Sequence, residues 1–83
     1  RPKIVIGFAA ETNNLKNNAE KKLLEKNCDW IIANDISDKT IGFDSEDNEV
    51  SIFYKNKETE KLLKKRKSLI ASEIVDRVIS ELN

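Results

Sequence analysis

The stretch IVIGFAAETNN, residues 4–14, decides how this chain is read. Ile4, Val5 and Ile6 are consecutive and β-branched, a run suited to a strand covered on both faces, as in a parallel sheet. Residues 3–8 are expected to form that strand. Gly7 is one of only two glycines. Its place predicts a turn at the end of the run, which Ala9 and Ala10 continue with minimal bulk. The small polar residues beyond lead into a helix over 13–27, where Leu15, Ala19 and Leu23 line up as one apolar stripe. Thr12 and Asn13 are its candidate caps. Asn27 is a natural stop, because asparagine tolerates the left-handed conformation at a helix end.

Trp30, Ile31 and Ile32 mark a second strand over 29–34. Strand, helix and strand make a βαβ unit, so the two strands should be parallel with a right-handed crossover. Residues 36–48 are polar and irregular, with Gly42 as a breaker. Residues 49–54 alternate, Val50, Ile52 and Tyr54 against Ser51 and Phe53, and predict an antiparallel strand. A turn over 56–59 and a short return strand over 61–63 follow. A helix over 65–82 then sets Ile70, Ala71, Ile74, Val75, Val78, Ile79 and Leu82 on one broad face. The fold class is α/β: a fragment of a Rossmann-like three-layer domain, with a parallel βαβ unit, an antiparallel hairpin and a C-terminal helix. The first two strands are apolar on both faces, yet the crossover helix covers one. Further strands and helices are therefore expected upstream of Arg1. The chain has no methionine and enters its first strand directly after Arg1, Pro2 and Lys3. Residues 1–83 read as the C-terminal portion of a single domain whose upstream part is missing.

Fifteen basic residues balance fifteen acidic ones, so no overall field draws the chain to nucleic acid or an anionic membrane. No apolar run approaches the length of a bilayer span. The lone Cys28 rules out an internal disulfide and suits a reducing, cytoplasmic setting. With no histidine in the chain, Cys28 has no histidine base to activate it and reads as a buried structural thiol.

Candidate chemistry gathers at the predicted carboxyl ends of the two parallel strands, the edge where open α/β sheets bind ligands. Gly7 and Phe8 end the first strand there, and Asn34 and Asp35 end the second. A helix N-terminus beside them offers free N–H groups to an anion. GFAAET is neither GxGxxG nor a Walker loop, and by itself it reads first as a tight strand-to-helix turn with small residues for packing. Lys22 and Lys26, four apart, share one helix face; they suit either a solvated surface or a polyphosphate. The acidic stretch GFDSEDN, 42–48, does not have the spacing of a calcium loop. It reads as a turn or ordering loop. The basic run KLLKKRK, 61–67, lacks the interleaved aromatics of a nucleic-acid surface and reads as solvated charge near a helix start.

Taken together, IGFAAETNN, AEKKLLEKNCDWIIAND and IGFDSEDNEVSIFYK resemble the C-terminal part of bacterial phosphopantothenate–cysteine ligase, also called phosphopantothenoylcysteine synthetase. The resemblance covers essentially the whole chain. It implies a cytoplasmic enzyme of coenzyme A biosynthesis, usually the second half of a bifunctional protein. The first half is a decarboxylase, and FMN belongs there rather than to this segment. The implied reaction has two steps. The carboxylate of 4′-phosphopantothenate attacks the α-phosphate of CTP, giving an acyl-cytidylate and pyrophosphate. The amine of cysteine then attacks the acyl carbon and releases CMP. The resemblance places CTP, accompanied by Mg2+, on Phe8, Lys22 and Lys26, with Gly7 and Asn34 as lesser candidates. It assigns no catalytic residue and no protein metal ligand within these residues. The glycine-rich nucleotide loop lies upstream in the family, so this chain alone is expected to be inactive. A homodimer is implied, with residues 36–54 reaching the partner.

The alternative is a non-catalytic dimerisation or assembly module of a nucleotide-binding α/β protein. Lys22→Ala or Lys26→Ala should weaken CTP use in the first case and not in the second. Replacing Phe53 or Tyr54 should break self-association in the second. Preference between CTP and ATP is open.

Overall fold

The computed structural model describes residues 3–35 and 47–83. Its elements run β1 (Ile6–Glu11), α1 (Leu15–Glu25), β2 (Trp30–Asp35), β3 (Asp47–Tyr54), β4 (Thr59–Arg66) and α2 (Lys67–Leu82). The strands form one sheet in the order β1-β2-β3-β4. β1 and β2 are parallel, with Phe8 opposite Ile32. β2–β3 and β3–β4 are antiparallel, so the βαβ unit, hairpin and closing helix stand as expected. Residues 36–46, which hold most of the predicted irregular segment, lie outside the described residues.

Side-chain alternation sorts the core into two layers. On one face Ala9, Ile31, Ala33 and Phe53 meet Ala19 and Leu23 of α1, with Cys28 buried beside them. On the other, Trp30, Ile32, Val50, Ile52 and Leu62 meet Ile70 of α2, with Ile74 and Val78 packed alongside. Helices thus cover both faces, and the three layers are present. The second face carries α2. Ile52 is fully buried, and burial of such a side chain contributes about 1.5–3 kcal/mol.

Several local expectations are corrected. β1 does not span residues 3–8 with a turn at Gly7; it begins at Ile6, leaves Ile4 and Val5 before the strand, and runs on through Ala9 and Ala10 to Glu11. Gly7 has no positive φ and pairs with Ile31 inside the strand. Its lack of a side chain answers close packing: a Cβ would lie 2.7 Å from Ile31 Cδ1 and 3.2 Å from Cys28 Sγ. The left-handed residue comes later, at Asn14 (φ 47°, ψ 39°), which takes the N-cap position of α1 in place of Thr12 or Asn13 and makes no side-chain cap hydrogen bond. Asn27, at φ 50°, ends the helix region as expected.

The return strand is longer than three residues. β4 includes Lys64, Lys65 and Arg66, so most of the basic run lies on a strand and not at a helix start. Pairing with β3, Asp47 opposite Arg66, overrides the helical preference of these residues. The connecting turn places Lys57 at φ 75°, held by Tyr54 N–H on Glu58 O at 2.9 Å and Glu58 N–H on Asn56 Oδ1 at 2.9 Å. The apolar face of α2 is split. Ile70, Ile74 and Val78 pack inward, whereas Val75, Ile79 and Leu82 remain exposed.

Polar contacts bind the layers at their margins. Asp29, buried, accepts the Val5 N–H on Oδ2 at 2.8 Å, and its own N–H donates to Val5 O at 2.8 Å. These bonds pin the entry to β1 against the start of β2. On the outer side, Arg77 of α2 bonds both oxygens of Glu60 on β4, and Lys65 Nζ reaches Glu73 at 2.8 Å. Tyr54 donates its hydroxyl to Glu60 Oε1 at 2.7 Å and meets Trp30 edge-on, with ring centroids 5.2 Å apart.

Candidate functional site

β1 and β2 run in the same direction and end side by side at Glu11 and Asp35. Alternation decides what each β1 residue can meet beyond them. Phe8 and Ala10 project toward the α2 layer; Ala9 and Glu11 project toward α1. Phe8 is 74% exposed and stands at a cleft of about 510 Å³ between the sheet and α2, lined also by Ala10, Asn34, Lys67, Ile70 and Ile74. The small side chain of Ala10 leaves the cleft open. Asn34 brings an amide to an otherwise mainly apolar wall, and among the described residues its buried Oδ1 has no hydrogen-bond partner. A buried acceptor of this kind normally has a donor, from protein, water or ligand.

Lys22 lies on the other side of the sheet. Its Nζ is 2.9 Å from Glu11 Oε1, and Glu11 Oε2 accepts from Asn18 Nδ2 at 3.2 Å. The hydrogen bond from Lys22 is the main cause holding the Glu11 carboxyl below its ordinary pKa. Lys26 lies one turn further along the same helix face, at the C-terminal cap; it is exposed and makes no ion pair among the described residues.

The structure therefore brings Phe8 and Asn34 into one cleft and sets Lys22 and Lys26 across the end of β1 from them. Gly7 is not in the cleft lining; it faces Ile31 and Cys28. Asp35 ends β2 on the α1 side, and 42–46 of the acidic stretch lie outside the described residues. Among the described residues no group of three acidic, histidine or cysteine side chains could hold a metal ion. Nor is any helix among them long and apolar enough to cross a membrane.

Three contributors were not legible in the sequence. Asn18 and Lys22 both meet Glu11 only because the turn at 12–14 folds α1 back on β1. Lys67 belongs to a basic run read as solvated, yet it lines the cleft because β4 continues to Arg66 and sets α2 beside the strand ends.

Comparison with known proteins supplies the context. Residues 1–82 match the family model described as "DNA/pantothenate metabolism flavoprotein C-terminal domain". The Coenzyme A biosynthesis bifunctional protein CoaBC of Escherichia coli K12 is 40% identical over 77 residues, which is 92% of this chain and 18% of that protein. Its namesake from Bacillus subtilis is 45% identical over 56 residues, 68% of this chain and 14% of that protein. The chain thus spans less than a fifth of the length of these relatives. The crystal structure of the C-terminal domain of a CoaBC protein superposes with a TM-score of 0.77 at 36% identity, covering 96% of this chain and 35% of that one. On the extent of the family match and the identity to these relatives, this chain belongs to the DNA/pantothenate metabolism flavoprotein C-terminal domain family.

Proposed function

We propose that this chain is the C-terminal part of a CTP-dependent phosphopantothenate–cysteine ligase and supplies part of its nucleotide site. The observation that carries this reading is a mainly exposed phenylalanine and an amide oxygen without a partner among the described residues, sharing one cleft at the ends of two parallel strands. Phe8 offers its ring to the nucleobase. Asn34 Oδ1 accepts from a base amino group, which both cytosine and adenine carry. The triphosphate passes over the end of β1, from the α2 side to the α1 side. Phe8 to Glu11 is three strand steps, about 10 Å, so one nucleotide can touch Phe8 and approach Lys22 and Lys26. Their ammonium groups balance charge that shifts onto the leaving pyrophosphate as the α-phosphate is attacked.

Mg2+ in this reading travels with the triphosphate, since the described residues offer no carboxylate cluster for it. The binding sites for 4′-phosphopantothenate and cysteine, and the groups that carry the acyl transfer, belong to the remainder of the enzyme. These residues alone are therefore inactive, and the working protein is a cytoplasmic homodimer. The self-association test is narrower than the sequence suggested. Phe53 is buried in the α1-side core, so its replacement would report on folding rather than on a partner surface.

The test is pyrophosphate release by the longest native reading frame that contains this chain, given 4′-phosphopantothenate, cysteine and either CTP or ATP. Release with CTP, diminished by Lys22→Ala, is expected. A folded protein that releases no pyrophosphate with either nucleotide would instead be an assembly module, with GFAAETNN a packing segment.

A further inference from the structure

We infer that Glu11 is a positioning residue for the nucleotide's phosphates, acting through Lys22; the inference rests on the nucleotide reading above. Glu11 is the last residue of β1 and turns toward α1. Its side chain is 13% exposed, against 43% for Lys22. Both carboxylate oxygens are engaged, each by a donor from a successive turn of α1. Lys22 Nζ takes Oε1 at 2.9 Å and Asn18 Nδ2 takes Oε2 at 3.2 Å. Asn18 Nδ2 also donates to Asn13 O at 3.2 Å, which ties the pair to the turn between β1 and α1.

Asn18, Lys22 and Lys26 form one stripe down α1 at four-residue spacing. Glu11 grips the first two and leaves the third. The two lysines are therefore not equivalent. Lys26 is exposed and makes no ion pair among the described residues. Lys22 is held with its ammonium at the strand end, where the strand-edge cleft opens on the other side. A free lysine loses rotamer freedom when it meets a phosphate, and a lysine already held by Glu11 loses less. Glu11 occupies one proton of the ammonium and leaves the others to face an incoming anion. The carboxylate is itself anionic, so its use is geometric: it fixes where the positive charge stands.

The experiment is a double-mutant cycle on the longest native reading frame containing this chain, reading the Kd for CTP by calorimetry and the KM and kcat for CTP by pyrophosphate release. Glu11→Ala is expected to raise Kd and KM for CTP about fivefold and to lower kcat by less than Lys22→Ala does. Glu11→Gln keeps an acceptor in place and is expected to fall between wild type and Glu11→Ala, which secures the test should the alanine variant fold poorly. Glu11→Ala combined with Lys22→Ala should bind CTP no more weakly than Lys22→Ala alone. Additive effects, or an unchanged Kd in both Glu11 variants while Lys22→Ala weakens binding, would overturn the positioning role and leave the nucleotide reading standing. An unchanged Kd in Lys22→Ala would overturn the placement of Lys22 in the nucleotide site, and this inference with it.

Discussion

Arg77 holds Glu60 in a two-pronged grip, Nε on Oε1 at 2.8 Å and Nη2 on Oε2 at 2.6 Å. The pair joins α2 to the outer strand β4, and Tyr54 adds its hydroxyl to the same carboxylate. The guanidinium first, and then the phenol, bring the Glu60 pKa from 4.5 to about 2. Burial, followed by the neighbouring carboxylate, pushes the Tyr54 phenol up to about 12.

A pH dependence follows from Glu60. A carboxyl with a lowered folded-state pKa contributes its full stabilisation above its unfolded value and loses it as the pH falls through the folded value. The contribution of Glu60 should therefore decline between pH 4.5 and about 2. Its side chain is 40% exposed, so solvent screens the pair, and Arg77→Ala should cost about 1 kcal/mol at neutral pH. Thermal unfolding of wild type and Glu60→Gln across this range should show a flatter acid limb in the variant.

Gly7→Ala tests the role of Gly7 in close packing. The added Cβ would meet Ile31 Cδ1 at 2.7 Å, and Ile31, at 2% exposure, has little room to yield. The expected cost is about 2 kcal/mol, read as a lower urea midpoint with unchanged slope. If Gly7 served only as a flexible turn residue, the substitution would be mild.

Lys57 occupies the left-handed region at φ 75°, which costs an L-residue about 1–2 kcal/mol that glycine does not pay. Glycine's extra unfolded-state entropy cancels part of the gain. Lys57→Gly should thus stabilise the protein by about 0.5 kcal/mol, seen as a rise in the denaturant midpoint.

Phe8→Ala separates ligand contact from folding. Phe8 is 74% exposed, so its removal should change stability by less than about 0.5 kcal/mol. Under the nucleotide reading, losing a ring stacked on the base should raise KM for CTP about tenfold. Equal KM values in wild type and variant would remove Phe8 from the site.

Much of the architecture was legible because it depends on local patterning. The apolar run at Trp30, Ile31 and Ile32, the alternation through Val50, Ile52 and Tyr54, and the helical spacing of Ile70, Ile74 and Val78 each suit one backbone geometry, whereas the run at 4–6 announced a first strand that in fact starts at Ile6. They determined the parallel pair, the hairpin and the closing helix. The family resemblance also ran along the chain and needed no coordinates.

Only the tertiary structure decided where β1 ends, because Gly7 is required by Cys28 and Ile31, residues more than twenty positions away. It alone decided that Lys64, Lys65 and Arg66 extend β4, since pairing with β3 outweighs their helical preference. It also divided the candidate site between two faces of one sheet. Phe8 and Glu11 are an odd number of residues apart on a strand of period two, so they point to opposite sides. Whether Lys22 meets Glu11 depends on how the turn at 12–14 returns α1 to β1. The sequence by itself determined which residue types stand at the strand ends. The packing of the helices on the sheet determined which of them meet.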